Sequence, residues 1–253
     1  MKVILLGTGT SQGIPVIGCN CPVCLSKDPH NKRTRSSAIV SYHGRNIVID
    51  TATEFRIQML RENIKHVDAV LFTHAHADHI HGLDDIRQFN EIQRTSIPCF
   101  GNKETIDTIK HIYSYIFMAT QIGGGKPDIS LNNVSSNLEL FNKTIIPLPL
   151  KHGSLDIFGY RIGNFAYITD ASHIPGDTVE KIRNLDVLVL NALRYEPHDA
   201  HFSVDEALDI INQVKPKKAY LTHICHRLEQ KHTEEALPKN IFMGFDGLII
   251  ETS

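Results

Sequence analysis

The sequence lacks a long apolar segment. Its first apolar run, within residues 1–7, is far too short for a signal peptide or a membrane-spanning helix. We therefore expect a cytoplasmic protein without a membrane partner. The chain also has no internal repeat, no low-complexity segment and no stretch suited to a domain linker. We expect one domain over residues 1–253, and an apolar share of 42% is sufficient for its core.

The sequence also lacks an excess of either charge. Its 26 basic and 28 acidic residues give a formal net charge of −2, which does not favour a nucleic-acid or membrane surface. Two basic runs, at residues 30–35 and 215–218, are interpreted as solvated loops. A nucleotide cofactor is rejected as well. The glycines of residues 7–13 have the spacing G-x-G-x-x-x-G, and Pro15 stands where the dinucleotide motif needs a helix.

Histidine, in contrast, is abundant, with 15 residues in the chain. The densest cluster is T-H-A-H-A-D-H at residues 73–79. It follows an apolar run at residues 67–72 that is typical of a buried strand. His74 and His76 are two positions apart, so an extended backbone points both side chains the same way.

The second half of this motif adds two more side chains that bind metals. Asp78 and His79 lie where the chain turns into a helix, which we predict through Leu83 and Ile86. Imidazole nitrogens and a carboxylate in so short a stretch suit two closely spaced ions of Zn²⁺, Mn²⁺ or Fe²⁺. The alternative is a chance histidine cluster in a solvated loop.

Three cysteines near the N-terminus indicate a second metal site. Cys19, Cys21 and Cys24 are too close in sequence to bridge one another, and reduced thiols at this spacing are typical of thiolate metal sites. A closed structural zinc needs a fourth ligand from elsewhere in the chain. The candidates are Cys225, His226 and His30. Ordinary reduced cysteines in a loop are the alternative.

Residues 38–50 alternate around a central turn and predict a β-hairpin that ends in Asp50. An acid at the end of a buried strand is costly unless its charge is used. Asp50 can accept a hydrogen bond from a metal-bound histidine and fix its tautomer. Equally, this segment can cap a helix over residues 54–64, because Thr51 and Glu54 have capping-box spacing.

The second half of the chain has three further candidate ligands, and each follows an apolar, strand-like run. They are His152 after residues 145–150, Asp170 after residues 165–169 and His223 after residues 219–222. A lone histidine or aspartate after a strand is usually a turn residue. The apolar spacing also predicts helices over residues 103–117 and 204–214, the latter with a capping box of Ser203 and Glu206.

The motif at residues 73–79 resembles the H-x-H-x-D-H signature of the metallo-β-lactamase superfamily of hydrolases. The resemblance implies an α/β fold, namely an αβ/βα four-layer sandwich of two mixed β-sheets flanked by helices. It also implies a dinuclear site of two divalent ions, Zn²⁺ or Mn²⁺, which can activate water and polarise a phosphoryl oxygen. By this resemblance one metal lies on His74, His76 and His152, the other on Asp78, His79 and His223, and Asp170 bridges them.

A finer resemblance is to one branch of the superfamily, the cyclic-phosphate phosphodiesterases of the carbon–phosphorus lyase pathway. That branch has a C-x-C-x-x-C knot in its opening loop and an L-T-H-x-x-H run, which is found here at residues 221–226. The resemblance makes His226 the fourth ligand of a structural zinc. The zinc would tie the opening loop to the loop of His223.

Members that cleave phosphodiesters also place a histidine before a helix, where it contacts phosphate and protonates the leaving oxygen. His201 occupies that position here, with His198 as the alternative. An imidazole can act in this way near neutral pH. His201, Asp78 and Asp170 are therefore the predicted catalytic residues. The predicted reaction is hydrolysis of a small phosphodiester, including cyclic ribose or nucleotide phosphates, and a homodimer is compatible with the sequence.

Three other functions are considered. A tRNA 3′-end-processing nuclease shares these ligands, but the near-neutral charge and the lack of an inserted basic arm argue against it. An iron oxidoreductase of the same fold is the second. Its di-iron type carries a glutamate where His76 stands, whereas a mono-iron sulfur dioxygenase keeps the histidine and requires a metal count to exclude. A non-catalytic metal-binding protein is the third.

Overall fold

The structure of this protein, a computed structural model, describes residues 1–119 and 125–252. The first half of the chain alternates strands with short helices. Its elements are β1 (Lys2–Gly7), α1 (Pro22–Leu25), β2 (Ser37–Tyr42), β3 (Arg45–Ile49), α2 (Phe55–Arg61), β4 (Ala69–Leu71), α3 (Ala77–Ile80), α4 (Ile86–Gln93), β5 (Ile97–Gly101), α5 (Lys103–Ile112), α6 (Ser114–Phe117) and β6 (Ile129–Asn133).

The second half begins with antiparallel strands and ends with alternating helices and strands. Its elements are β7 (Leu138–Leu140), β8 (Lys143–His152), β9 (Leu155–Ile162), β10 (Phe165–Ile168), α7 (Gly176–Lys181), β11 (Val187–Asn191), α8 (Val204–Val214), β12 (Lys218–Thr222), α9 (Gln230–Ala236), β13 (Ile241–Met243) and β14 (Leu248–Glu251). Two single 3₁₀ turns, at Pro29–Asn31 and Leu83–Asp85, complete the set within the described residues.

The strands of the described residues form two seven-stranded sheets, with the orders β14-β1-β2-β3-β4-β5-β6 and β13-β12-β11-β10-β9-β8-β7. Both sheets are mixed. Strands β3 to β6 run parallel in the first sheet, and strands β10 to β13 run parallel in the second. The carboxyl ends of parallel strands meet at one edge of a sheet, where α/β folds hold their ligands.

An apolar core lies between the two sheets and includes Val40, Ile49 and Val189. Helices cover the outer faces. Phe55 of α2 and Phe89 of α4 pack on the first sheet, whereas α7 and α8 pack on the second. The predicted four-layer αβ/βα arrangement is therefore confirmed. Its layers arise because the parallel strands are apolar on both faces and need helices on one side and the other sheet on the other.

Local sequence signals are confirmed at the hairpin and at α8. Strands β2 and β3 pair directly, and their turn residues His43 and Gly44 have φ values of 48° and 74°. Helix α8 begins with the predicted capping box, in which Ser203 and Glu206 each accept a hydrogen bond from the other's backbone N–H.

Two predicted helices are shorter or broken in the structure. The helix predicted over residues 103–117 divides at Tyr113, whose hydroxyl donates to the backbone oxygen of Ile80 at 2.9 Å. The helix predicted through Leu83 and Ile86 is interrupted after α3. At this point the Gly82 N–H donates to the Thr51 oxygen at 2.9 Å and not to a helix carbonyl, and a Cβ at Gly82 would lie 2.2 Å from the backbone oxygen of Ala52.

The capping box predicted at Thr51 and Glu54 is wrong. Helix α2 spans only Phe55–Arg61, and the side chain of Glu54 makes no capping hydrogen bond. Glu54 instead forms an ion pair with Arg35, and the Thr51 hydroxyl donates to the backbone oxygen of Ile80. Partners that are distant in sequence therefore take both side chains away from the helix end.

The interpretation of residues 30–35 as a solvated basic loop is also wrong at Arg33. This side chain is buried, and its guanidinium donates to the Thr8 hydroxyl at 2.7 Å, to the Gly244 oxygen at 2.6 Å and to the Gln230 side-chain oxygen at 2.5 Å. Burial lowers the pKa of Arg33 to about 10. The guanidinium binds the opening loop to the C-terminal part of the second sheet.

The glycine-rich sequence at residues 122–127 predicts a loop, and part of this segment lies outside the described residues. Within residues 1–119 and 125–252, none of the helices has the length and apolar character that a membrane crossing requires.

Candidate metal centre

The predicted ligands, together with Asp50, lie at the carboxyl ends of strands in both sheets. Within the first sheet, Asp50 directly follows β3, and the motif at residues 73–79 follows β4. Within the second, Asp170 follows β10 and His223 follows β12. The packed sheets bring these ends together, and His152 joins them as the last residue of β8.

The candidate ligands form groups whose donor atoms all lie within 4.8 Å of one another. Three such groups share this edge, and Asp170 belongs to two of them. A carboxylate in that position adjoins the donors of both metals predicted from the resemblance. The groups are His74, His76 and His152; Asp78, His79, Asp170 and His223; and His152, Asp170 and His201.

Three residues of the centre have left-handed backbone conformations. The φ angles are 63° for Asp50, 60° for Asp170 and 55° for His223. Such conformations cost roughly 1–3 kcal/mol each in non-glycine residues and persist where the surrounding structure enforces them. The turn directs each side chain sideways from its strand end into the centre.

Asp50 accepts hydrogen bonds at both carboxylate oxygens. The Nδ1–H of His79 donates to Oδ2 at 2.7 Å, as does the Thr73 hydroxyl at 2.8 Å, and the Thr73 N–H donates to Oδ1 at 2.8 Å. Of the two uses predicted for Asp50, this geometry corresponds to the hydrogen bond from a metal-binding histidine. The carboxylate fixes the tautomer of His79 and leaves its Nε2 facing the centre.

Three other rings are held in the same manner. The Nδ1–H of His74 donates to the Thr73 hydroxyl at 3.0 Å, that of His152 to the Ala200 oxygen at 2.7 Å and that of His223 to the Ser36 hydroxyl at 3.2 Å. The acceptor assignment follows because each hydroxyl already donates to another oxygen. In their neutral form these three rings therefore present the lone pair of Nε2 to the centre.

The electrostatics of the centre favour bound cations. Burial lowers the pKa of His223 to about 4 and holds that of His74 well below its usual value. Burial acts on the pKa of His79 in the same direction, but the carboxylates of Asp170, Asp78 and Asp50 outweigh it and raise that pKa well above normal. The neutral imidazoles of His74 and His223 together with the clustered carboxylates form a site that favours positive charge.

Two buried nitrogens give an independent test of metal fit. The Nε2 of His74 is buried and has no hydrogen-bond partner in the described structure, whereas the buried Nε2 of His79 lies 3.2 Å from carboxylate oxygens of both Asp78 and Asp170 but without hydrogen-bond geometry. Unpartnered buried polar atoms are rare in native proteins and call for an explanation. A metal ion supplies one, since imidazole nitrogen with carboxylate oxygen is the usual donor set of Zn²⁺ and Mn²⁺. The residues present therefore fit divalent metals.

A small cavity adjoins this centre. It has a volume of about 220 Å³ and is lined by His74, His76, Thr105, Leu155 and other residues. Two carboxylates, of Glu104 and Asp156, also line it. Larger cavities lie away from these donors, among residues such as Tyr220 and Phe242, and we assign the site by its donor chemistry.

The cysteine cluster forms a separate group with His226. The Nδ1 of His226 lies 3.2 Å from Cys19 Sγ, 3.5 Å from Cys21 Sγ and 3.6 Å from Cys24 Sγ. All three cysteines are free thiols. Tetrahedral zinc, with Zn–S of about 2.3 Å and Zn–N of about 2.0 Å, separates such donors by about 3.5 Å. The group therefore has the dimensions of a zinc site.

The other candidates for the fourth ligand lie elsewhere. The thiol of Cys225 accepts a hydrogen bond from the Arg227 N–H at 3.4 Å, and the His30 ring packs against Phe245. The Cys24 N–H donates to the Sγ of Cys21 at 3.4 Å, and this bond lowers the pKa of Cys21 to about 6. A low thiol pKa favours the thiolate that binds metal.

The opening loop contacts the loop of His223 directly. The Ile224 N–H donates to the Thr8 oxygen at 2.9 Å, and the Thr10 N–H donates to the Ile224 oxygen at 3.3 Å. The cysteine group therefore lies beside backbone hydrogen bonds that connect the opening loop to the loop of the predicted ligand His223.

Several residues of the centre are missed by the sequence reasoning. The buried Asn191 side chain binds both backbone groups of Ala171, at 2.8 and 2.9 Å, and so fixes the turn after Asp170. Its position at the polar end of an apolar run is a usable signal. Ser36 and Thr73 carry no such signal, because their importance lies in hydrogen bonds to the ligands.

His201 and His198 have different places. The Nε2 of His201 lies 3.1 Å from the Oδ1 of Asp170, and its ring stacks on that of His223 with 4.9 Å between centroids. His198 contacts His201 through their Nδ1 atoms at 3.3 Å. Of the two predicted candidates, His201 is the one that reaches Asp170.

Comparison with known proteins identifies the family. A sequence profile described as the β-lactamase superfamily domain matches residues 45–224. The chain belongs to the metallo-β-lactamase superfamily. It is similar to a solved diphosphatase of the PhnP family, at 42% identity and a TM-score of 0.93, with 98% of this chain and 96% of that one covered. The superfamily fold implies binding of divalent metals and, with this neighbour, a hydrolase.

Two other superfamily comparisons are more limited. A protein of Porphyromonas gingivalis named octanoyltransferase is 38% identical over 98% of this chain but only 51% of its own length. The chain thus spans about half the length of the first curated relatives it matches. The short form of human tRNase Z has 16% identity and a TM-score of 0.72, with 99% of each chain covered. That likeness shows the fold alone.

Proposed function

We propose that this hydrolase cleaves small phosphodiesters with two divalent metal ions. The observation that carries the proposal is the position of Asp170. Its carboxylate adjoins both groups of donors, and the Nε2 of His201 lies 3.1 Å from its Oδ1. A pair of metals with an imidazole beside them suits a reaction in which a phosphorus–oxygen bond is broken and the departing oxygen needs a proton.

The proposed metal ligands divide as the superfamily resemblance implies. When bound, two zinc or manganese ions supply Lewis-acid charge and an activated water at neutral pH. Asp50 and Thr73 orient the rings of the ligands and keep their Nε2 atoms inward. One ion would be held by His74, His76 and His152, the other by Asp78, His79 and His223, and Asp170 would contribute to both. A structural zinc on Cys19, Cys21, Cys24 and His226 completes the proposal.

His201 donates the proton to the leaving oxygen. Its ring is only partly buried, so its Nε2 can meet a substrate beside Asp170. Stacking on His223 limits rotation of the ring. An alkoxide is a poor leaving group, and protonation by a positioned acid typically accelerates its departure about 10²–10⁴-fold.

The substrate is proposed to be small. The adjoining cavity of about 220 Å³ accommodates a compact group, and the carboxylates of Glu104 and Asp156 in its lining disfavour a polyanion. The formal net charge of −2 likewise disfavours tRNA. The fold likeness to tRNase Z therefore does not extend the proposal to nucleic acid.

Hydrolysis of a diphosphate is a second candidate. The neighbour with 42% identity is a diphosphatase, and hydrolysis of a diphosphate breaks a phosphoanhydride, which is also a phosphorus–oxygen bond. The leaving group would then be a phosphate, which needs a proton less than an alkoxide does. Octanoyl transfer is not proposed, because the chain spans only 51% of the relative with that name.

The experiment compares wild type with His201→Ala on three substrates. These are bis(p-nitrophenyl) phosphate, a 2′,3′-cyclic nucleotide and a nucleoside diphosphate. Wild type should hydrolyse both diesters. His201→Ala should lose roughly 10²–10⁴-fold in kcat on the cyclic nucleotide and clearly less on the nitrophenyl ester, whose leaving group hardly needs a proton.

His232→Ala, which replaces an exposed histidine of α9, is the matched control and should behave as wild type. Metal content of each variant is measured by elemental analysis and should not change. A preference for the diphosphate over both diesters would favour the second candidate. Cleavage of a thioester without cleavage of any diester would overturn the proposal, and a single metal in the active enzyme would favour the mono-iron dioxygenase.

A further inference from the structure

The two histidines before α8 face each other across a tight turn. His198 and His201 form an isolated antiparallel bridge around Asp199 and Ala200. Their ring centroids are 4.9 Å apart, and the rings are inclined at 65°. The backbone of the turn therefore sets the distance between the two imidazoles.

The hydrogen bonds of His198 determine which ring carries the shared proton. The Ala200 N–H donates to the Nδ1 of His198 at 3.1 Å, so this nitrogen is an acceptor without a proton. The Nδ1 of His201 lies 3.3 Å from the same atom. The donor in a hydrogen bond between these two nitrogens is therefore the Nδ1–H of His201.

This hydrogen bond determines the role of the other ring nitrogen of His201, Nε2. With Nδ1 occupied by a proton directed at His198, the Nε2 is the atom free to gain or lose a proton. That atom lies 3.1 Å from Asp170, at the centre. His198 thus accepts the Nδ1–H of His201. Hydroxyls, a carbonyl and a carboxylate accept the Nδ1–H of the metal-ligand rings in the same way.

The turn itself is anchored on both sides. The Ala200 oxygen accepts the Nδ1–H of His152 at 2.7 Å. On the other side, the Arg194 guanidinium donates to the oxygens of Glu196 and Pro197 at 3.1 and 2.9 Å. The imidazole of His198 is thus carried by a fixed backbone and not by a free loop. Burial, with the nearby charges of His201 and Arg194, lowers the pKa of His198, which favours its neutral, accepting form.

We infer that His198 is a positioning residue that accepts the Nδ1–H of His201 and thereby directs the proton-donating Nε2 to the leaving oxygen. The inference rests on the proposed role of His201. As the phosphorus–oxygen bond breaks, its electron pair stays on the leaving oxygen, which takes the proton from Nε2. His201 is then neutral, and its remaining proton stays on Nδ1 against His198. Asparagine can substitute, because its amide oxygen lies near the position of the imidazole Nδ1 and accepts the same two donors.

The test compares His198→Ala with His198→Asn on the cyclic nucleotide and on bis(p-nitrophenyl) phosphate. His198→Ala should lower kcat on the cyclic nucleotide by about 10–100-fold, the usual cost of removing the partner that orients a site histidine. KM should change little, and the loss should be smaller on the nitrophenyl ester. His198→Asn should recover most of the lost kcat. Unchanged metal content and thermal midpoint show that the fold is intact.

The outcomes separate this inference from the proposed function. If His201→Ala is impaired but His198→Ala has normal kcat on the cyclic nucleotide, the inference fails and the acid role of His201 stands. If both alanine variants are impaired and His198→Asn is no better than His198→Ala, orientation by an acceptor is wrong. If His201→Ala itself has normal kcat, the proposed function of His201 fails first.

Discussion

The two groups of candidate metal ligands in this protein are built in opposite ways. The imidazole–carboxylate centre draws its donors from strand ends in both sheets, between His74 and His223. The cysteine group takes three donors from one short loop, residues 19–24, and a single donor, His226, from far along the chain. The first group exists only once the fold has assembled. The second holds a loop that has little apolar core of its own.

The surroundings of the two groups differ as well. Around the imidazole–carboxylate centre, side chains such as Asp50 and Ser36 fix each ring from behind. Around the cysteines, backbone N–H groups donate hydrogen bonds to the sulfur atoms. The N–H of Val16 donates to Cys24 Sγ at 3.3 Å. We therefore expect changes in the first group to affect mainly activity and changes in the second to affect mainly stability.

The largest effect on activity is expected for Asp170→Asn. A neutral amide bridges two cations poorly, so kcat should fall roughly 10³-fold or more, which is about 4 kcal/mol at 1.36 kcal/mol per factor of ten. The fold should persist, because asparagine tolerates the left-handed φ of 60° at this position. Activity is measured by kinetics, bound metal by elemental analysis and the stability of the fold by thermal unfolding.

Asp209→Asn, which changes an exposed aspartate of α8, is the control for Asp170→Asn and should leave activity unaltered. Near-normal activity of Asp170→Asn would mean that this residue is not shared between two metals.

A smaller effect is expected for Asp50→Asn. Asp50 is fully buried and accepts three hydrogen bonds, from His79 and from two groups of Thr73. An amide NH₂ must then face at least one donor, and where it faces His79 it disfavours the tautomer with an inward lone pair. Activity or metal affinity should fall about 10–100-fold. Metal titration followed by activity measurement checks this.

An Asp50→Asn variant with normal metal affinity but low stability would show that the Asp50 carboxylate serves the fold and not the ring of His79. The expected result is the reverse, with unfolding changed less than metal affinity.

The smallest effect on activity is expected for Cys21→Ser. Wild type should contain about three metals per chain, one of which resists chelation, because thiolate zinc is closed and shielded. The variant should lose that metal and keep measurable activity. A destabilisation of about 2–3 kcal/mol would lower the thermal midpoint by roughly 5–10 °C. Elemental analysis after dialysis against a chelator and thermal unfolding provide the measurements.

Cys225→Ser is the matched control, because this thiol is next to His226 but outside the group. It should keep the resistant metal. If Cys21→Ser abolished activity as fully as Asp170→Asn, the two groups would not differ in role.

Some elements follow from local sequence alone. The hairpin before Asp50, the capping box of Ser203 and Glu206, and the strand before His223 are all found where predicted. Each depends on interactions within a few residues, namely turn conformation, capping bonds and apolar alternation. The same reasoning fails at Glu54, because Arg35 competes for its carboxylate. Spacing alone does not report such a competitor.

In the candidate site, too, some features follow from the sequence and others depend on contacts between distant residues. The sequence by itself determined the donors, because His74, His76, Asp78 and His79 are chemically suited to metals wherever the chain places them. It could not decide which use Asp50 serves. It also offered Cys225 and His30 beside His226 as partners of the cysteines, and only the resemblance chose among them.

The tertiary structure decided the rest, because the deciding contacts join distant parts of the chain. Asp50 meets His79 across two strands, and His226 meets Cys19 across 207 positions of sequence. Arg33 is buried because its guanidinium reaches Gly244, although its neighbours in sequence are polar. The sequence determines the chemistry of each side chain. Its partner is set by the packing of two sheets, whose strand ends are brought together only when the core between them is buried.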